Sequence, residues 1–158
     1  MKRNLKIVRD QPSKIPQRLT SFQSPWIDYM MGIPVGRKII GEHLVIENTS
    51  SVYQLKLTLH GGSNRELYYA GETTGKPKIR LQKHISSINR VSFTGCFIKI
   101  FDEAYLQGVT AITVEMAVLQ TNLTVKEAKR LEANLALALR NQYGAENVLS
   151  NPKKLPSP

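Results

Sequence analysis

Residues 52–59 read Val-Tyr-Gln-Leu-Lys-Leu-Thr-Leu, and this stretch decides how the rest of the chain is interpreted. Tyr and Leu occupy the odd positions, whereas Gln, Lys and Thr occupy the even positions from 54 to 58. Because successive side chains of a strand point to opposite faces, the alternation predicts a half-buried β-strand. Residues 60–64 (His-Gly-Gly-Ser-Asn) favour a turn and residues 67–71 (Leu-Tyr-Tyr-Ala-Gly) favour a returning strand, so together they predict a β-hairpin.

Three further segments follow the hairpin. Residues 78–88 carry Leu and Ile on one helical stripe and predict a helix. Residues 93–101 are apolar and rich in β-forming side chains, so they predict a strand. Residues 110–119 are rich in Thr, Val and Ile, and this composition is compatible with another strand of the same sheet.

The clearest helix signal lies near the end of the chain. Thr124 and Glu127 have the spacing of a capping box, in which each side chain binds a backbone N–H at the start of a helix. Leu and Ala recur at three- and four-residue spacing beyond it, and Gly144 stands where a helix commonly ends. The order strand, strand, helix, strand, helix predicts an α+β fold with a small antiparallel sheet flanked by helices.

Composition excludes several classes of protein. The 158 residues fit one domain, and a hydrophobic fraction of 41% is sufficient for a core. The single cysteine, Cys96, excludes a disulfide framework and a cysteine-based zinc finger, and it fits a reducing compartment. No apolar run approaches the roughly 18 residues of a membrane-spanning helix, and no secretory signal follows the basic start. We therefore expect a cytoplasmic protein without a membrane partner.

The positive charge is concentrated at the start of the chain. The net charge is +10, and residues 1–38 hold eight Lys and Arg against two Asp. Four of the eight prolines lie in the same stretch and argue against long regular elements. We interpret residues 1–45 as a basic, proline-rich arm, residues 46–151 as the folded domain and residues 152–158 as a flexible tail. A basic balance of this size favours a polyanionic partner.

Standard chemical motifs do not explain the chain. It contains no phosphate-binding G-x-x-x-x-G-K-S/T loop and no G-x-S-x-G nucleophile motif. His43, His60 and His84 lie too far apart to form a local metal-binding motif. The candidate chemistry therefore depends on residues that the fold brings together from separate elements.

One such constellation runs through the predicted elements. Its parts are Ser51-Val52-Tyr53 on the first strand, Tyr69-Ala70-Gly71 on the second, Arg80 and His84 four residues apart on the next helix, and Glu132 on the last helix. In this order and spacing, the chain resembles the GIY-YIG nuclease family over about residues 50–151. The segment from Lys126 to Leu135 is similar to the final helix of the nuclease domain of the bacterial nucleotide-excision-repair incision enzyme.

The chain departs from the family pattern at several positions. Ser51 stands in place of the first glycine, and Ala70 stands in place of an isoleucine. Tyr69 follows Tyr53 by 16 positions, a longer hairpin than many members have. Asn147 and Asn151 both lie near the place expected for the final asparagine, so the sequence leaves that assignment open.

The resemblance implies a Mg²⁺-dependent (or Mn²⁺-dependent) DNA endonuclease that hydrolyses phosphodiester bonds with one metal ion. Glu132 would hold the metal ion, and Arg80 would bind the phosphate and offset its developing charge. Tyr53 would act as the general base, since a tyrosine beside a cation can have a pKa below its usual value of about 10. Tyr69 would orient the water or the phosphate, and His84 would relay a proton.

The last implied site residue is a C-terminal asparagine, Asn147 or Asn151, which would tie together the site or the helix end. Restriction, phage or mobile-element, and structure-specific repair roles are all compatible with the pattern, and a restriction enzyme would form a homodimer on a palindromic site. The residues expected to bind nucleic acid are Arg37, Lys38, Lys76, Lys78 and Lys83.

Other interpretations stay open from the sequence. Tyr53 and Tyr69 are also compatible with tyrosines at the edge of a core, and Arg80 with Glu132 is compatible with a structural ion pair. A non-catalytic nucleic-acid-binding module with the same fold would need the basic surface but not Glu132. A ribosome-associated or structural basic protein would bind RNA without cleavage.

Overall fold

The computed structural model describes residues 32–41, 45–62, 64–89 and 98–149. Within them lie four strands, three α-helices and one short 3₁₀ helix: β1 (Val35–Ile40), β2 (Ser50–His60), β3 (Arg65–Thr74), α1 (Pro77–Asn89), α2 (Ile98–Gln107), β4 (Ala111–Leu123), α3 (Val125–Tyr143) and the 3₁₀ helix Ala145–Asn147. The strands form one sheet in the order β1-β4-β2-β3. This is the α+β class that the sequence predicts, a small sheet flanked by helices.

The predicted hairpin is the centre of the fold. β2 and β3 pair antiparallel with Tyr53 opposite Gly71, and β2 also pairs antiparallel with β4. Tyr53, Leu55, Leu57 and Leu59 are all fully buried, which confirms the alternation read from residues 52–59. The sheet as a whole is mixed, because β1 joins β4 in parallel.

The sheet separates two apolar layers. On one face, the odd-numbered side chains of β2 pack with α1 and α2 in a core that includes Leu81, Ile85 and Ile100. On the other face, α3 packs Ala136 and Leu139 against the even-numbered side chains of β3. Helices on opposite faces therefore pack on the same pair of strands, β2 and β3.

The segment that follows α3 returns to the outer strand, β3. Val148 forms a parallel bridge with Tyr68 of β3, and the Leu149 N–H donates to the Tyr68 carbonyl at 2.6 Å. The ring of Tyr68 stacks on Tyr143 with centroids 3.8 Å apart. The segment after α3 thereby covers part of the β3 edge, an edge that would otherwise be open to pairing.

Two predictions about individual elements need revision. The strand predicted for residues 93–101 is wrong at residues 98–101, which begin α2, and residues 93–97, with Cys96, lie outside the described part. Ile100 and Ala104 are fully buried at helical spacing, and a short buried apolar run has the same composition in a helix as in a strand. Residues 35–40, assigned to the arm from the sequence, form β1 of the sheet.

The C-terminal helix follows its prediction closely. The Thr124 N–H donates to Glu127 Oε1 at 2.9 Å, and the Glu127 N–H donates to Thr124 Oγ1 at 3.1 Å. Gly144 ends the helix with φ of 93°, a left-handed conformation that favours glycine. These hydrogen bonds to Thr124 hold the pKa of the Glu127 carboxyl below its ordinary value. The capping box fixes where α3 begins and so where Glu132 lies along it.

Candidate active site

Tyr53 is the centre of the candidate site, and the register of the hairpin places it there. It lies directly opposite Gly71, and a Cβ atom built on Gly71 would overlap Cζ and Oη of Tyr53. The phenol therefore occupies the space that a side chain at residue 71 would take. Because Tyr53 has no exposed surface, its polar oxygen must find partners within the protein.

Those partners come from α1. The Tyr53 hydroxyl and His84 Nε2 lie 2.7 Å apart, a short hydrogen bond between two buried side chains. Tyr69 completes a cluster of three rings, with its centroid 6.3 Å from that of Tyr53 and 5.4 Å from that of His84. The ring of Tyr69 meets His84 edge-on at 71°, a favourable geometry for aromatic rings.

Arg80 lies one helical turn before His84 and adds a positive charge to the cluster. Its guanidinium interacts with the hydroxyl groups of both Tyr53 and Tyr69. Partial burial disfavours the charge of Arg80, but its contacts with the two tyrosines outweigh that effect and raise its pKa further. Arg80 Nε is buried without a hydrogen-bond partner among the described residues, whereas the residue as a whole is half-buried and so partly open to solvent.

Two carboxylates act on the cluster from the other side of the sheet. Glu132 of α3 is 5% exposed, and its negative charge raises the pKa of Tyr53. Glu72, which pairs with Val52 beside the Tyr53–Gly71 pair, has the same effect. Both carboxylates disfavour a negative charge on the phenol. The site thus combines one fixed cation with two carboxylates around a single hydroxyl.

Burial dominates the titration of Tyr53. Loss of water raises its pKa to about 12, the nearby Arg80 opposes this, and Glu132 and Glu72 add to it. The expectation that the pKa of Tyr53 lies below 10 is therefore wrong for the protein's own residues taken without a bound cation. The hydroxyl carries its proton at neutral pH, and any role as a base requires that this proton move to a neighbour.

The donor set sets limits on a metal ion. No group of three or more His, Cys, Asp or Glu able to hold a metal occurs within the described ranges, so a preformed cage is absent there. Mg²⁺ commonly binds through one or two carboxylates and takes its remaining ligands from water and substrate phosphate. Glu132 is a buried carboxylate whose charge acts on Tyr53, and a single carboxylate fits an ion of that kind.

The structure brings together five of the predicted site residues and separates the sixth. Asn147 lies in the 3₁₀ helix, where its Nδ2 donates to the Tyr143 carbonyl at 2.7 Å. It therefore ties the helix end, one of the two roles foreseen for it, while Asn151 lies outside the described residues.

The predicted nucleic-acid-binding residues fall into two groups. Lys76 and Lys78 lie at the start of α1 close to Arg80 in sequence, and Lys83 lies beside His84. Arg37 and Lys38 lie on β1, at the sheet edge opposite β3. All five side chains are exposed. The first group borders the candidate site, whereas β4 and β2 separate the second group from β3.

Sequence reasoning missed three contributors. Gly71 provides the space for the phenol, Glu72 contributes a second carboxylate, and Ser51 has a fully buried Oγ without a partner among the described residues. Centring the predicted turn on residue 62 would have paired Tyr53 with Gly71. The burial of Ser51 and the effect of Glu72 had no comparable signal in the sequence.

Comparisons of the chain with protein-family models, with curated proteins and with solved structures gave no match. None of the helices in the described ranges has the length and hydrophobicity required to span a bilayer. The case for a function therefore depends on the geometry of the cluster.

Substitution of Gly71 tests the packing of Tyr53. We expect Gly71→Ala to displace the phenol, because the added methyl group would overlap its ring. Overpacking of this kind costs about 1–3 kcal/mol of unfolding free energy, which urea denaturation would measure. Gly36→Ala is the matched control, since a Cβ there has no heavy atom within 4 Å. Equal stability of the two variants would contradict the predicted overlap.

Alkaline pH tests the burial of Tyr53. Because its pKa is about 12 in the folded protein and about 10 when unfolded, its contribution to stability is complete below pH 10 and is lost by pH 12. The shift corresponds to about 2–3 kcal/mol. In urea melts at pH 8 and pH 11.5, Tyr53→Phe should lose less stability between the two pH values than the native chain. An identical loss in both proteins would argue that the phenol is not buried.

Proposed function

We propose that the chain is a metal-dependent endonuclease that hydrolyses phosphodiester bonds of DNA. The observation that carries the proposal is the 2.7 Å hydrogen bond between Tyr53 and His84, made beside Arg80 and within the electrostatic reach of Glu132. Phosphodiester hydrolysis needs a proton acceptor for water, a cation for the phosphate and a carboxylate for a metal ion. The cluster supplies one residue for each of these needs.

Proton transfer follows from the raised pKa of Tyr53. A phenol with a pKa of about 12 does not act as a preformed phenolate at neutral pH. Its proton instead passes to His84 Nε2 while its oxygen accepts a proton from the attacking water. The O–H bond of water breaks as its oxygen bonds to phosphorus, and the bond from phosphorus to the leaving oxygen breaks. The leaving oxygen then takes a proton from solvent.

Arg80 has the geometry of a phosphate-binding residue. Its interactions with Tyr53 and Tyr69 hold the half-buried guanidinium in place, where it can donate to a phosphate oxygen. A planar fork of donors matches phosphate better than a single ammonium group does. A phosphate bound by Arg80 would lie close to Tyr53, because Arg80 interacts with that tyrosine.

Glu132 is the residue that would hold the metal ion. A bound Mg²⁺ supplies a Lewis acid that polarises a phosphate oxygen and offsets charge that develops on it. Glu132 is a buried carboxylate, 5% exposed, whose charge acts on Tyr53. One carboxylate of this kind is enough to hold a Mg²⁺ ion that takes its other ligands from water and phosphate, which supports a ligand role for Glu132.

The direct test is cleavage by the full-length protein. Supercoiled plasmid, linear duplex and single-stranded DNA are each incubated with the purified chain in Mg²⁺ or in excess chelator. We expect nicked or linear plasmid in Mg²⁺ alone, with Mn²⁺ as an effective substitute. An absence of cleavage of all three substrates in either metal would contradict the proposed activity.

A second candidate function is supported by a different observation. Tyr53 has no exposed surface and His84 is 5% exposed, as expected of residues that only stabilise a core. On this alternative the chain is a nucleic-acid-binding module that uses Lys76, Lys78 and Lys83 without catalysis. It predicts binding of the same DNA in the cleavage test, with intact substrate in every metal.

A further inference from the structure

Several elements converge at one end of the sheet. Ser50 at the start of β2 pairs with Thr74 at the end of β3 and with Leu123 at the end of β4. α1 and α3 each begin within three residues of one of those strand ends. The N-termini of two helices, one on each face of the sheet, therefore lie at the end that also carries Tyr53 and Arg80.

The start of α3 carries a group of exposed cations that the proposed chemistry does not use. They are Lys126, Lys129 and Arg130. Spacings of three and four residues place them on neighbouring parts of the helix surface. Lysines in the first turns of a helix are unfavourable next to the positive end of its dipole. Arg130 is attracted to the Glu127 carboxylate of the capping box, whereas the position of Lys126 and Lys129 is unfavourable for stability.

The orientation of α3 indicates which way these cations project. Leu131 packs towards Val52 and Leu123 of the inner strands, together with Ala128. Lys129 precedes Leu131 by two residues and so lies about 200° around the helix from it. Lys129 accordingly projects from the flank of α3 that lies on the side of β3, the strand of Gly71 and Glu72, whereas Lys126 and Arg130 lie farther round the helix, towards its solvent-facing surface.

A matching group of cations lies on the other face of the sheet. Lys76 and Lys78 are exposed at the start of α1, and α1 contains no acidic residue in its first turn. The Tyr53 and Arg80 cluster thus lies between a cationic helix start on one face and a cationic helix start on the other. A polyanion that crosses the end of β3 would meet positive charge before and after the cluster.

We propose that Lys126, Lys129 and Arg130 form a second phosphate-binding surface, which contacts duplex DNA on the side of the cleaved bond opposite to Lys76 and Lys78. The inference rests on the proposed function, because it takes DNA as the polyanion. It adds that the DNA extends over both helix starts. The surface binds the backbone without reading sequence, since exposed lysines contact phosphates as point charges.

Salt-dependent binding tests the surface. A fluorescent 30-base-pair duplex is titrated with the full-length protein in chelator at several salt concentrations. The test variant is Lys126→Gln with Lys129→Gln, and the control is Lys56→Gln with Arg140→Gln, which removes equal charge elsewhere. Each lost phosphate contact lowers the slope of log K against log salt by about 0.9, so the test variant should lose about 1.8. We expect at least about tenfold weaker binding at moderate salt, with kcat on saturating DNA in Mg²⁺ within about twofold.

The outcomes separate this surface from the proposed activity. Equal slopes of log K against log salt for the test and control variants would overturn the proposed surface. The weaker binding would then follow from the lower net charge and not from lost contacts at α3. If the native chain binds the duplex and the test variant shows the smaller slope, but neither cleaves DNA, the surface stands and the proposed nuclease activity is overturned. A native chain that does not bind the duplex would overturn both.

Discussion

Glu132→Gln should abolish metal-dependent cleavage while the protein stays folded. Glutamine has nearly the same shape as glutamate but lacks the charge that holds a divalent cation, so we expect a fall in kcat of at least about 10³. The variant should stay folded, because glutamine fills nearly the same volume in the buried position. Plasmid nicking in Mg²⁺ measures the first effect, and urea denaturation measures the second.

The control for Glu132→Gln is a carboxylate outside the cluster. Glu115 is half-buried on β4, and Glu115→Gln should retain activity within about twofold of the native chain. If Glu132→Gln kept more than a tenth of the native rate, the carboxylate would not be a metal ligand. The structural alternative, an ion pair with Arg80, would instead predict lower stability for Glu132→Gln with little change in the rate per folded molecule.

The elements predicted most accurately are those whose signal is local. The alternation in residues 52–59 and the capping box at Thr124 each depend on a few neighbouring residues, and both are present in the structure. The apolar run of residues 93–101 had no periodicity to distinguish a helix from a strand, and α2 begins at Ile98. Composition alone therefore misassigned a segment whose burial is decided by tertiary packing.

The candidate site was predictable in part for the same reason. Arg80 and His84 share one face of a helix because they are four residues apart, and the fold places that face against Tyr53. The pKa of Tyr53 was not predictable, since it depends on how much water the surrounding layers exclude. The contribution of Glu72 also depends on strand pairing, because it acts through its position beside the Tyr53–Gly71 pair.

The charge distribution shows what a sequence count leaves out. The excess of ten positive charges indicated a polyanionic partner but did not show which surface of the protein binds it. The structure puts Arg37 and Lys38 on the far edge strand and Lys76 and Lys78 beside the cluster. Position relative to the site, and not number, decides which cations can contact the phosphates next to a cleaved bond.

Tyr53→Phe removes one oxygen atom and should lower kcat by about 10² to 10⁴, the usual contribution of a general base. The ring remains to fill the space over Gly71, so the fold should persist. Tyr68→Phe is a closely matched control: Tyr68 is also buried on β3, but its hydroxyl donates to Glu66 and its ring stacks on Tyr143. We expect Tyr68→Phe to cleave plasmid at about the native rate.

The pH dependence then distinguishes the two forms of base catalysis that a tyrosine can perform. If the native rate depended on the preformed phenolate of a group with a pKa of about 12, log kcat would rise by about one for each pH unit from 7 to 10. Transfer of the Tyr53 proton to His84 removes that requirement, so we expect a much flatter profile over this range and a loss of most activity in His84→Gln. A unit slope with an active His84→Gln variant would show that Tyr53 works without the histidine, and the 2.7 Å hydrogen bond would then serve only to position the phenol.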